Sequence, residues 1–278
     1  MGAKAFAFKG VAMQHRDIGE IDGPIVLFGG PYSNLQALNA MLDAIGSRRA
    51  ICTGDVVAYG ADAFGCVEEL RASGIPVVAG NCEQQIASGA QDCGCGFEDG
   101  SACDLASRGW FAHATAHITS EQRAWMDGLP DLLFFRNAGR RYAVLHGAVS
   151  ANNMFLWSCT DAALLRRELA ALQMVYGEVD AVIAGHSGIA FQRDIDGVAW
   201  INAGVIGMPP NDGDPRTEYA VLDAGQVGFH RLSYDHNAAS RAMRAVGLTQ
   251  GYEQSLRTGL WPNEDILPDQ LRVSRASG

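Results

Sequence analysis

Positive charge is what this chain of 278 residues is short of: 21 Lys and Arg stand against 31 Asp and Glu, a net charge of −10. A non-specific nucleic-acid surface or an anionic-membrane surface needs clustered Lys and Arg, so neither is expected. Long apolar runs are missing too, and a membrane span needs roughly 20 such residues. The opening Met1-Gly2-Ala3-Lys4-Ala5-Phe6 lacks the apolar core of a secretory signal. There is no internal repeat and no low-complexity tract. Charged residues make up only 19% and apolar residues 48%, which excludes a disordered chain and suits a packed core. Seven cysteines is an odd number, and without a secretion signal a disulfide framework is not expected. The expected setting is the cytoplasm, with thiols mostly reduced. The length allows one large α/β domain or two modest ones.

What is present is organised around Ile51 to Glu83. Ala50-Ile51-Cys52 is a strand run that ends in Thr53-Gly54-Asp55, and Ile75 to Ala79 is a second that ends in Gly80-Asn81-Cys82-Glu83. Between them, Phe64, Val67 and Leu70 share one face at helical spacing, with Glu68, Glu69 and Arg71 turned away. About thirty residues per strand-helix-strand unit fits a right-handed crossover. Asp55 and Asn81 should then lie side by side at the carboxyl ends of parallel strands, where open α/β sheets bind ligands.

The rest of the chain repeats this design. Residues 1 to 23 show no clear period and read as a leading strand or a docked arm. Pro24 to Phe28 is a continuous apolar run, as in a strand buried on both faces, and it ends at Gly29-Gly30-Pro31-Tyr32-Ser33-Asn34. A helix follows with Leu35, Leu38, Met41, Leu42 and Ile45 on its apolar side. Gly89 to Cys103 is loop chemistry, and helices are expected over Asp104–His117 and, capped by Ser120, to Met126. A hairpin of Leu132–Phe135 and Tyr142–Leu145 ends at His146-Gly147, and a helix over Asp161–Tyr176 leads to Ala181–Ala184 and Gly185-His186. Strands are expected near Ala190–Ile195, Val198–Asn202, Tyr219–Asp223 and Gln226–Arg231, then a helical tail broken at Trp261-Pro262 and Leu267-Pro268. Residues 1–236 form the expected domain and 237–278 a helical tail packed on it.

Five apolar strands therefore end in glycine or polar tips, and these deliver one Asp, one Asn and two His. That is a metal-ligand set of oxygen and imidazole type. One histidine on a strand end is more often structural; four candidates on one sheet edge are hard to assign to chance.

The order and local sequence resemble the calcineurin-like metallophosphoesterases, in particular the branch of small bacterial phosphodiesterases and diadenosine tetraphosphatase-like proteins. The matching stretches are Ser33 to Leu38, Gly54 to Gly60, Gly80 to Glu83, His146-Gly147, Gly185-His186 and Ile201 to Gly207, together spanning roughly residues 25 to 231. The resemblance implies a single α/β domain: a four-layer α/β/β/α sandwich of two mixed β-sheets flanked by helices. It also implies a two-metal site, with ions roughly 3.5–4 Å apart that activate water for in-line attack on phosphorus. Carried over by position, Asp55 bridges the ions, and Asn81, His146 and His186 complete the second ion's ligands. The family's Asp-x-His is here Gly30-Pro31-Tyr32, and its Gly-His-x-His is His186-Ser187-Gly188 after Gly185. All the missing ligands belong to the first ion, so a reduced or rebuilt centre is expected. It would hold one divalent ion (Mn, Zn, Fe or Ni), with a second possible. Cys82 stands at the family's general-acid histidine; a thiol with an ordinary pKa of about 8.5 is a poor acid for an alkoxide leaving group.

Further candidates surround that set. Cys93, Cys95 and Cys103 could rebuild the first site or be thiols of a glycine-rich lid that form an occasional disulfide. His113 and His117 have a chelating spacing but no third ligand in view. Tyr32, Asn34, Tyr59 and Arg193 are the substrate-binding candidates, Arg193 as a phosphate contact or else a solvated strand-edge arginine. The expected activity is hydrolysis of a phosphomonoester or phosphodiester, in a phosphorylated small molecule or nucleotide. Two other readings stay open: a non-catalytic nucleotide- or partner-binding scaffold, and a thiol-based metal or redox sensor using Cys82, Cys93, Cys95 and Cys103. Substrate identity and oligomeric state are not encoded in any motif.

Overall fold

The computed structural model describes residues 13–273, so the expectations for the first twelve residues and the last five lie outside the described residues. Among the described residues ten strands form two mixed sheets. The larger sheet has the order β1 (His15–Glu20), β4 (Leu132–Asn137), β5 (Arg140–Leu145), β6 (Ala181–Ala184), β8 (Val198–Asn202) and β7 (Phe191–Ile195). The smaller runs β10 (Gln226–Leu232), β9 (Thr217–Asp223), β2 (Ile25–Phe28) and β3 (Arg49–Cys52). The pairs β2–β3, β5–β6 and β6–β8 are parallel, which puts their carboxyl ends on one edge.

The continuous apolar runs reflect burial on both faces. Ile25 and Leu27 of β2 pack between the sheets with Ile51, Phe135, Val144 and Ile183, while Val26 and Phe28 face helices. Those helices include α1 (Leu35–Ile45), α2 (Ala63–Ser73) and α4 (Ala102–His117). On the other side, α6 (Ala162–Tyr176) lays Leu165, Leu169 and Leu172 against Val182, Ala184 and Trp200. The result is the expected four layers. Each fully buried Leu, Ile or Phe contributes about 1.5–3 kcal/mol, so polar tips on such strands survive only where other groups satisfy them.

Several elements differ from what the sequence pattern predicts. Ile75–Ala79 pairs with β3 only through a single bridge, Cys52 to Val77. Pro76 has no N–H to give, so the ladder stops, although its carbonyl accepts from Cys52 N at 2.9 Å. The second tip then runs straight into an unforeseen helix, α3 (Asn81–Ser88). In α2 the buried face is Ala63, Cys66, Val67 and Leu70, and Phe64 turns to solvent at 47% exposure. That face obeys the same helical spacing, rotated by one position. Thr119, not Ser120, caps α5 (Ser120–Asp127). Beyond β10, α7 (His236–Ala245) and α8 (Tyr252–Thr258) bury Met243, Tyr252 and Leu256 in the cluster under α1 and α2.

Candidate metal centre

The two strand tips meet because glycine lets their backbones touch. Gly54 has φ +92°, and a Cβ there would sit 2.7 Å from Gly80 N. Asp55 follows at φ 54° and His186 at φ 58°. Left-handed backbone at non-glycine residues costs about 1–3 kcal/mol each and collects at functional sites. Both residues are buried.

Four polar atoms converge here. His146 Nε2 lies 3.1 Å from Asn81 Oδ1, 3.1 Å from His186 Nδ1 and 3.2 Å from Asp55 Oδ2. His186 Nδ1 is 3.9 Å from the same Asp55 oxygen. Two backbone carbonyls fix which atoms face inward. Thr53 O can only accept, so His146 donates from Nδ1, at 2.6 Å, and its Nε2 is left as a lone pair. Cys93 O accepts from Asn81 Nδ2 at 2.9 Å, so Oδ1 is the amide atom that meets His146. Lone pairs of an imidazole, an amide and a carboxylate thus point at one another, an arrangement that needs a shared cation. A tetrahedral ion with bonds of about 2.0–2.1 Å holds its ligand atoms about 3.3 Å apart, so the donor set fits a metal. Asp55, His146 and His186 are also the cluster of metal-ligating type found among the described residues.

Without a metal the cation is a proton. Burial pushes the Asp55 carboxyl up, but His146 and His186 beside it more than offset this and hold it well below the usual carboxylate range. Burial pushes the His146 ring down, yet Asp55 and the Thr53 carbonyl raise it on balance. His186 is lowered, by burial and then by the charge on His146, against Asp55. A metal would therefore have to displace the proton held on His146.

Glu83 joins the site without having been singled out by the sequence motifs. Wholly buried, its carboxylate accepts from Asp55 N at 2.8 Å, Gly80 N at 2.9 Å and Val57 N at 3.2 Å, tying both tips together. Burial, then the Asp55 charge, push it up to about 7. A signal for it exists in the sequence, since a glutamate three residues after the helix-capping Gly80 is a capping-box spacing.

The first ion's position is built differently. Tyr32 turns its ring into the space between Gly30 and Val205, and a Cβ on Gly30 would meet that ring at 2.6 Å and Val205 at 2.7 Å. Gly188 brings no donor. Those residues do not fit a second ion. Cys82 donates its N–H to Asp55 Oδ1 at 3.4 Å, and burial, with Asp55 and Glu83, pushes its thiol well above the ordinary value. Cys93 and Cys95 are joined to each other across Gly94, against the expectation of reduced thiols, since two residues of one turn bring their sulfurs together. Their loop lies against the centre, with Asn81 Nδ2 3.4 Å from Cys95 Sγ. Cys103 bonds Asn263 Oδ1 at 3.0 Å instead.

Of the substrate-binding candidates, Tyr32 and Tyr59 border the cavity beside Asp55 and His186. Asn34 does not; its Oδ1 caps α1 at Ala37 N and its Nδ2 donates to Gly207 O and Tyr234 Oη. Arg193 is bound to the Thr160 carbonyl and does not border that cavity. His113 bonds Ala61 O at 2.9 Å and His117 bonds His113 O at 2.8 Å, with no third ligand gathered around them.

Residues 31–226 match the calcineurin-like phosphoesterase superfamily domain. An uncharacterised protein of Methanocaldococcus jannaschii is 25% identical over 224 residues, covering 73% of this chain and 85% of that one. A metallophosphoesterase structure from Sphaerobacter thermophilus aligns with a TM-score of 0.66 at 22% identity, covering 86% of this chain and 100% of that one. A hypothetical protein of Pyrococcus horikoshii aligns with a TM-score of 0.71 at 14% identity, over 86% of this chain and 99% of its own. At such identities the two structures share the fold.

Proposed function

The chain belongs to the calcineurin-like phosphoesterase superfamily, and within it we propose a metal-dependent phosphoesterase that works with a single divalent ion. Asp55, Asn81, His146 and His186 hold the ion, and Mn, Zn, Fe and Ni all suit an oxygen and imidazole set. The observation that carries this is the fixed orientation of Asn81 and His146, which presents lone pairs, not N–H groups, to one point. When bound, the ion polarises a phosphoryl oxygen and lowers the pKa of attacking water. The protein's own share is positional. Thr53 and Cys93 carbonyls hold two ligands in register, and Glu83 holds the backbone of the tips. Cys82 stays a thiol and acts as a neutral hydrogen-bond donor, and Tyr32 and Tyr59 shield the centre from water. The substrate is a phosphorylated small molecule or nucleotide.

The filled first-ion position favours a second reading, a scaffold that binds a phosphoester without cleaving it. Elemental analysis beside turnover separates the two, on wild type, Asp55→Asn and Cys93→Ser. One metal per chain, lost in Asp55→Asn but kept in Cys93→Ser, with phosphoester hydrolysis following the metal, is the expected result. Metal bound without turnover supports the scaffold. No metal under replete conditions defeats the enzyme reading.

A further inference from the structure

Above Asp55 and His186 the walls are aromatic: Tyr32, Tyr59, Phe97, Phe155, Tyr252 and Trp261. Phe155 lies over the His186 ring at 4.3 Å between centroids, inclined by 31°. Tyr59 contacts Tyr252 at 4.6 Å and Tyr32 at 4.9 Å. Tyr252 and Trp261 come from the tail, beyond residue 226 where the family match ends.

The cleft is also without cations. No lysine occurs from residue 13 to residue 273, and no arginine of the described chain borders either cavity beside His186. A phosphate group can then be neutralised only at the centre itself. A divalent ion held by one carboxylate, an amide and two neutral imidazoles leaves at most one net positive charge, because the buried Glu83 carboxylate bonded to Asp55 N subtracts from it when ionised. One phosphodiester monoanion matches it. A monoester dianion or a polyphosphate would bring negative charge into an aromatic enclosure with nothing to pair it, which is costly.

Resting on the phosphoesterase reading above, we propose that this site takes a phosphodiester monoanion carrying an aromatic ester group and turns away more highly charged phosphates. The aromatic ring stacks among Phe155, Tyr59, Tyr252 and Trp261, as π-faces favour. In the reaction, water adds to phosphorus, the P–O bond to the aromatic ring breaks, and that oxygen leaves with the bonding pair. The products are a phosphomonoester and a phenol that carries a proton from the water. The cleft has a cysteine where the family has an acid histidine, and a phenolate departs with less protonation than an alkoxide needs. About 40 Å³ of free space remains between the rings, so the substrate ring is seated as residues 262–266, which form no helix or strand, move aside while Trp261 stays bound to Pro209 O through its indole N–H.

The test is calorimetric titration of the full chain loaded with Mn²⁺, using diphenyl phosphate, diethyl phosphate and phenyl phosphate, with hydrolysis of each followed in parallel. Diphenyl phosphate is expected to bind about tenfold tighter than diethyl phosphate, the scale of a ring–ring contact in a buried site. Phenyl phosphate should bind more weakly than diphenyl phosphate despite its greater charge. Tyr252→Leu and Trp261→Leu should remove the advantage of diphenyl over diethyl phosphate and leave the metal content unchanged. Equal affinity for the two diesters, or a preference for the dianion, overturns the proposal while leaving the phosphoesterase reading intact. If the metal-loaded wild type neither binds nor cleaves any of the three, both fall. The wild-type comparison decides the matter even if a variant does not fold.

Discussion

At the scale of single residues, the centre depends on which proton sits where. Glu83 and His146 both hold protons more tightly folded than unfolded. Glu83 titrates near about 7 folded against 4.5 in its ordinary state, so the folded chain binds more protons across that window. Stability of the metal-free protein is therefore fully present at the acid end and falls as pH rises through it. His146, raised above its ordinary 6.5, adds a loss of the same sign that sets in from that pH upward. Asp55 acts oppositely, adding stability above its ordinary value of 3.8 that is lost in stronger acid. Chemical denaturation of metal-stripped protein across this range should show the decline, and Glu83→Gln should flatten its lower part. A slope unchanged in that variant would mean that Glu83 is ionised throughout. Asn34 belongs to the same scale: an asparagine beside a glycine turn suits an anion contact, but a helix N-terminus with open N–H groups claims its side chain first.

At the scale of elements, the site is the contact between two strand tips and the start of α3. A Cβ on Gly80 would collide with Asp55 Oδ1 and N and approach Glu83 Oε2 to 2.7 Å. Gly80→Ala should therefore cost about 1–3 kcal/mol and weaken metal binding as well, because Asp55 must shift. Denaturation and metal titration of the same variant check this; full affinity in a destabilised variant would show that the tip can relax away from the ligands. The strand tips are readable from sequence, because an apolar run that stops at glycine and a polar residue marks where a buried strand reaches the sheet edge. The start of α3 is marked more faintly, since Gly80 has no side chain to cap the helix and the spacing to Glu83 is its sign in the sequence.

At the scale of the molecule, α7 and α8 share an apolar cluster with α1 and α2, and Leu256 is only 1% exposed. We expect Leu256→Ala to cost about 2–5 kcal/mol and to lower one cooperative transition of the whole chain. Calorimetry showing a separate transition of the tail would contradict that unity. The tail also supplies Tyr252 and Trp261 to the cleft, so the surface proposed to meet the substrate is assembled from segments far apart in sequence.

The four layers are what the family resemblance implies, whereas patterning alone determined the helices, the apolar strands and the tips that carry the four candidate ligand residues. Each follows from local periodicity, which places side chains on faces wherever the chain later packs. The tertiary structure decided how those residues are used. Asn34 finds Tyr234 across 200 residues, Cys103 finds Asn263 across 160, and His146 finds Thr53 across 93. A buried polar atom takes whichever partner the folded layers bring within reach, and that choice orients the candidate ligands, while packing sets the Tyr32 ring against Gly30 and Val205 and lines the cleft with rings.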